Sequence, residues 1–102
     1  MIVELIWSEI TKNENGFPVE QYHSIQAYGK EKSATRSEVY EAMRAGVDVK
    51  TVLEVRQEDW EQTRHLVDGK PEYARKVKLS GCEYRIVRGY KKGKATIELT
   101  CE

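Results

Sequence analysis

Apolar and polar residues alternate along most of this chain with the period of two that belongs to half-buried strands. In residues 2–11, Val3, Leu5 and Trp7 share one face. Ile2, Ile6 and Ile10 share the other, with Glu4 and Ser8 between them. That pattern predicts a strand covered on one side and partly on the other. Asn13, Glu14, Asn15 and Gly16 form a turn signal, because Asn-Gly supplies the positive φ that tight hairpins need. Pro18 opens a second extended run over 19–28, with Val19, Ile25 and Ala27 on one parity and Tyr22 and Tyr28 on the other. A third strand is expected over 50–57, with Thr51, Leu53 and Val55 on one side and Glu54 and Arg56 opposite. The C-terminal third predicts strands over 76–79, 82–90 and 95–101, separated by turns at Ser80-Gly81 and at residues 91–94. In the last of these strands Ala95, Ile97, Leu99 and Cys101 are expected inward, and Thr96, Glu98 and Thr100 outward.

One segment breaks the alternation in favour of a helix. Thr35 and Glu38 fit a capping box, Val39, Ala42 and Met43 recur at three-and-four spacing, and Gly46 is a natural C′ residue. Such a short helix is marginal alone and has to dock on something. Residues 58–74 are polar, contain Asp68-Gly69 and Pro71, and are expected as a helical turn around 60–66 followed by a loop. The expected fold is therefore mainly β: a small antiparallel barrel or sandwich of about six strands, with one short helix inserted between strands 2 and 3. The length of 102 residues sets a single domain over 1–102, with the insertion at about 29–50.

Composition narrows the function. Charged residues make up 33% of the chain, with 17 basic against 17 acidic, and mean hydropathy is −0.69. Zero net charge argues against tight unselective nucleic-acid binding by the whole domain, which draws on excess Lys and Arg. The charge is nonetheless split. Residues 70–94 carry nine basic and two acidic side chains, whereas residues 1–69 carry eight basic and 13 acidic ones. A basic end facing an acidic one suits a solvated hairpin or electrostatic docking, either to nucleic acid or head-to-tail between copies of the chain. Glu4 interrupts the apolar start with no basic region before it, so no leader is expected. No charge-free stretch approaches the length of a transmembrane helix, and no membrane partner is expected. Cys82 and Cys101 are expected as reduced thiols.

Catalytic signatures are scarce. His23 and His65 have no ligand set at metal spacing, neither cysteine has a nucleophile motif around it, and the chain contains no phosphate-cradling glycine loop. No enzyme activity, cofactor or metal is expected. Tyr84, Arg85, Arg88, Tyr90, Lys91 and Lys92 do interleave rings with cations over the hairpin 75–94, a composition that can stack bases and neutralise phosphates. Six tyrosines and two tryptophans among nine aromatics fit surfaces that are dry on one side and wet on the other.

The order of motifs resembles the head-closure (head–tail joining, neck stopper) proteins of tailed bacteriophages and prophages. The resemblance is carried by Arg36, Ser37, Glu38, Val39, Tyr40, Glu41 and Ala42, then Gly46, then the strand Leu53, Glu54, Val55, Arg56 with Asp59 and Trp60. It continues through residues 77–90 and Ile97, Glu98, Leu99, Thr100 and Cys101, so that it spans nearly the whole chain. Residues 61–75 make a longer connection than is usual there, Cys82 stands where Lys is common, and Leu79 where an aromatic is common. The resemblance implies a small β-barrel that forms a ring below the portal and its adaptor, closes the DNA channel and presents the surface on which the tail docks. It implies a channel gate in the insertion, centred on Arg36, Ser37, Glu38, Tyr40, Met43 and Arg44. The implied partners are portal, adaptor and tail proteins, further copies of the chain, and the packaged DNA end, with the protein made in the bacterial cytoplasm and ending in the virion. Docking between subunits or to partners is expected at Trp60, Arg85, Arg88, Tyr90, Lys91 and Lys92. The alternative is a small nucleic-acid-binding barrel that uses the basic and aromatic hairpin 75–94, chiefly Tyr84, Arg88 and Tyr90. A toxin-like nuclease is a third reading, for which no acid–base pair can be named.

Overall fold

The computed structural model describes residues 1–32, 40–41, 43–46 and 48–102, and of Lys92 the backbone alone. The alternating segments become β1 (Ile2–Lys12), β2 (Pro18–Lys32), β3 (Thr51–Arg56), β4 (His65–Val67), β5 (Lys70–Glu72), β6 (Lys76–Leu79), β7 (Cys82–Lys92) and β8 (Thr96–Cys101). Six of them close into an antiparallel barrel in the order β1, β2, β3, β8, β7, β6, and β4 and β5 form a separate two-stranded hairpin. The choice between barrel and sandwich is thus settled as a barrel. A helix, α1 (Gln57–Glu61), follows β3.

The barrel interior is filled by the inward parity of each strand. Val3, Leu5, Ala27, Leu53, Val55, Val77, Leu79, Ile97, Leu99 and Cys101 are all buried. Their cross-strand registers, such as Leu53 opposite Leu99 and Leu5 opposite Val77, put aliphatic side chains face to face across the sheet. The barrel leaves no room for side chains at its tightest crossing. A Cβ on Gly29 would lie 3.0 Å from Val3 Cγ1 and 3.1 Å from Leu53 Cδ1. β7 carries a bulge between Ile86 and Arg88. The bulge reverses the parity of the strand, so that Tyr84 and Ile86 pack on the core while Arg88 and Tyr90 point outward.

Segment 58–74 departs from expectation. The helix starts at Gln57 rather than near Trp60, and His65–Glu72 is a hairpin rather than a loop. Asp68 and Gly69 both have positive φ (52° and 79°), as a two-residue type I′ turn requires. The hairpin is too short to stand alone. His65 anchors it by stacking on Trp7, with ring centroids 6.0 Å apart, and by a 2.8 Å bond between Nδ1 and the Thr63 carbonyl. Thr63 is fully buried; its hydroxyl donates to the Trp60 carbonyl (2.8 Å) and accepts from the Ala74 amide (3.0 Å). Gln57 Nε2 donates to the carbonyls of Gly93 and Thr96, tying α1 to the β7–β8 turn. Ala95 is an exposed turn residue rather than an inward one, because β7 runs two residues further than expected and moves the turn to 93–95. Gly46 has the positive φ (83°) of a helix C-terminus, with its amide donating to the Met43 carbonyl. The proposed capping box at Thr35 and Glu38, and Val39 and Ala42, lie outside the described residues.

The strands are unequal in length, and this gives the molecule its shape. β6 pairs with β1 only at Glu4, Leu5 and Ile6, and β3 pairs with β2 only from Gly29 onward. Residues 7–12 of β1 and 18–23 of β2 pair with each other alone. Six residue pairs project as a twisted ribbon of roughly 20 Å, consistent with overall extents of 51 × 28 × 28 Å. We expect Gly29→Ala to destabilise the barrel by about 1–3 kcal/mol through overpacking, read as a lower denaturation midpoint in urea; an unchanged midpoint would show that the crossing can relax.

Candidate functional site

The barrel core is mainly aliphatic, and the exposed charged and aromatic side chains lie around it. Three surfaces qualify: the base of the segment between β2 and β3, the outer face of β6 and β7, and the ribbon.

The described residues on either side of the segment between β2 and β3 are tied to the barrel. Lys32 pairs with Glu54 at 3.3 Å, and Thr51 Oγ1 donates to Glu31 Oε1 at 2.9 Å. On the returning side the Lys50 amide donates to the Cys101 carbonyl, and the Asp48 amide to Glu102 Oε2 at 3.2 Å. Of the expected gate residues, Tyr40, Met43 and Arg44 sit in a helical turn with their side chains exposed. Arg36, Ser37 and Glu38 lie outside the described residues.

The basic hairpin is more neutralised than its composition implies. Arg85 is ion-paired with Glu102, and the same two residues exchange both backbone hydrogen bonds at 2.9 Å. Lys76 pairs with Glu83 at 3.2 Å, and Arg75 with Glu72 at 3.7 Å. Arg88 and Lys91 are exposed and make no ion pair among the described residues, and Tyr90 is exposed beside them. The side chain of Lys92 lies outside the description. Trp60 corrects the sequence expectation. It is only 7% exposed and stacks on Tyr73 with centroids 5.3 Å apart, so it is a core residue and not a docking surface. Its edge reaches the floor of a groove of about 540 Å³ that runs between residues 72–76 and β7.

Alternation alone did not flag the ribbon, although Ile10 already stood on the face away from the core. Ile10 is 77% exposed, Tyr22 71% and Phe17 65%. The sequence predicted a long run over 2–11 and a short one over 76–79, but that the two pair, and so leave β1 unmatched beyond Ile6, is a fact of the tertiary structure. The reciprocal bonds between Met1 and Gly29 fix which backbone groups face β2. Because these alternate in an antiparallel pair, the backbone groups of Ser8, Ile10 and Lys12 point to the open edge of β1.

No family model matches the chain, and neither a curated protein nor a solved structure matches it.

The titratable groups form no reactive cluster among the described residues. Trp7 lies between two histidine rings, stacking on His23 (5.5 Å) and on His65, and its indole donates to Glu9 Oε1 at 3.4 Å. His23 Nε2 stands 3.9 Å from the same Glu9 oxygen. No group of three metal-ligating side chains converges among these residues, and no described helix is long and apolar enough to cross a membrane. Cys82 is exposed at a turn, while Cys101 is fully buried, its thiol pushed up to about 12 by loss of solvation.

The buried thiol has a pH consequence. Between the ordinary thiol value of 9.0 and about 12, the unfolded chain releases the Cys101 proton while the folded chain keeps it. The contribution to stability is thus present below pH 9 and lost as pH rises, by at most about 1.4 kcal/mol per pH unit. Chemical denaturation from pH 8 upward should show a steeper fall for the natural chain than for Cys101→Ala; equal slopes would remove Cys101 from the linkage. At neutral pH, iodoacetamide should label Cys82 in the native state and Cys101 only after unfolding.

Proposed function

We propose that this chain is a structural, non-enzymatic protein of a tailed-phage virion, which forms a ring below the portal and adaptor, closes the DNA channel and offers the tail its docking surface. The single observation that carries the reading is the joint placement of two features. A closed barrel too tight for an internal site bears an 18-residue excursion (33–50) between β2 and β3, whose described helical turn presents Tyr40 and Met43 to solvent. The motif order along the sequence supports the same reading. In this role the barrel supplies a rigid body and the excursion the part that reaches the channel, with Tyr40, Met43 and Arg44 among its contacting residues. Closed rings need fixed geometry more than strong pairwise affinity, so the isolated chain is expected to stay monomeric and to assemble on the portal–adaptor template.

Nucleic-acid binding through 75–94 draws less support, because three of its cations are already paired within the chain. An anisotropy titration with single- and double-stranded oligonucleotides should show weak binding; tight binding with a steep salt slope would reverse this ranking.

The deciding experiment uses DNA-filled heads from the encoding phage that lack this protein. Added chain should bind them, retain the DNA and restore tail joining. The double variant Tyr40→Asp and Met43→Asp, checked by circular dichroism to keep the fold, should bind but leak DNA. A chain that ignores such heads is not a head-closure protein.

A further inference from the structure

The ribbon and the groove are complementary; within one chain they adjoin only at Arg75 and Lys76, which also line a cleft beside Glu20 and Tyr22, while Arg85, Val87 and Arg88 lie on the groove's far side. Residues 7–23 carry Glu9, Glu14 and Glu20 against Lys12 alone, a net charge of −2 with His23 neutral. The groove beside β7 is lined by four cations, Arg75, Lys76, Arg85 and Arg88, and one carboxylate, Glu72. Of the cations, Arg88 has no ion-pair partner among the described residues. The apolar parts match as well. The ribbon exposes Ile10, Phe17 and Tyr22, and the groove offers Val87 at its surface with Ile86 and Tyr73 half-buried below it.

Left in water, the ribbon is an exposed hazard. Its long edges are blunted only sparsely, by one proline at the start of β2, by Lys12 and by the carboxylates Glu9 and Glu20. A two-stranded hairpin exposing several large apolar side chains has little to hold it unless something covers it.

We propose that the β1–β2 ribbon of one copy lies in the basic groove beside β7 of the next copy, an inference that rests on the ring reading and supplies its subunit contact. The contact is heterologous, because the donor surface and the acceptor surface are different parts of the chain, so it propagates around a ring when the rotation closes. The acidic ribbon finds its counter-charge chiefly at Arg88. The apolar side chains of the ribbon cover Val87 and the half-buried rim of the core.

The test uses the full chain in a Cys82→Ser background, where Cys101 is buried and unreactive. Phe17→Cys is made in one batch and Val87→Cys in another, and the two are mixed at about 1 mM, where even a weak contact is populated. They are then treated with a short bismaleimide. The expected product is the mixed Phe17–Val87 dimer, at several-fold higher yield than pairing of Phe17→Cys with a Lys78→Cys control on β6. Ile10→Lys in the ribbon should reduce that yield several-fold with no change in melting temperature, and Arg88→Glu in the groove should do the same. Predominant Phe17–Phe17 products would overturn the proposal in favour of edge-to-edge ribbon pairing, and yields no higher than the control would overturn it outright. A chain that fails here yet restores tail joining to heads loses only this subunit contact. A chain that cross-links as expected but ignores heads keeps the contact and loses the connector role.

Discussion

Barrel closure depends on a short seam. β1 has two edges, and the inner stretch of the strand must satisfy both, pairing with β2 along its whole length and with β6 at Glu4, Leu5 and Ile6. Those three pairs turn a curled sheet into a barrel and remove its edges there. They bring Leu5 onto Val77 and seal an interior in which Leu5, Leu53, Val77 and Leu99 have no solvent exposure. The same seam sets what lies outside. β6 is four residues long and cannot follow β1 beyond Ile6, so the rest of β1 leaves the barrel with β2 as its only partner.

The consequences for function follow from scale. The six-stranded barrel fills its interior with the side chains of its described strands. Gly29 and Gly89 show how closely it is filled, since a Cβ at either would stand 3.0 Å from a neighbouring side chain. Outside the interior, the described features are the base of the segment between β2 and β3, the ribbon, and the groove where the β7 bulge separates Ile86 from Arg88. Each is held at its base by specific bonds, such as Lys32 to Glu54 for the first and Trp7 stacked between His23 and His65 for the second.

Much of this was legible in the residues. The alternation of Val3 and Leu5, of Leu53 and Val55, and of Ile97, Leu99 and Cys101 marked the core faces correctly, because a strand with one dry side must alternate. The Ser80-Gly81 turn was marked by residue type, since only a few residues tolerate positive φ. The β4–β5 hairpin was not legible: its Asp68-Gly69 turn was visible, but Leu66 and Val67 are exposed and Pro71 argues against a strand. What holds that hairpin is His65 on Trp7, a contact across 58 positions of sequence that no local pattern encodes. Trp60 looked like a surface anchor for a similar reason, because the polar residues around it conceal that one turn of helix aims its ring at Tyr73.

By itself the sequence determined the strand faces, the tight turns and the division of charge, all of which are properties of neighbouring residues and their backbone preferences. Only the tertiary structure decided that the sheet closes, that β1 and β2 outrun their partners, and that a bulge at Val87 turns Arg88 and Tyr90 outward. It also decided that Arg85 spends its charge on Glu102. These outcomes depend on register and on which distant segments meet, and a one-residue shift in pairing exchanges the two faces of a strand while leaving its sequence unchanged.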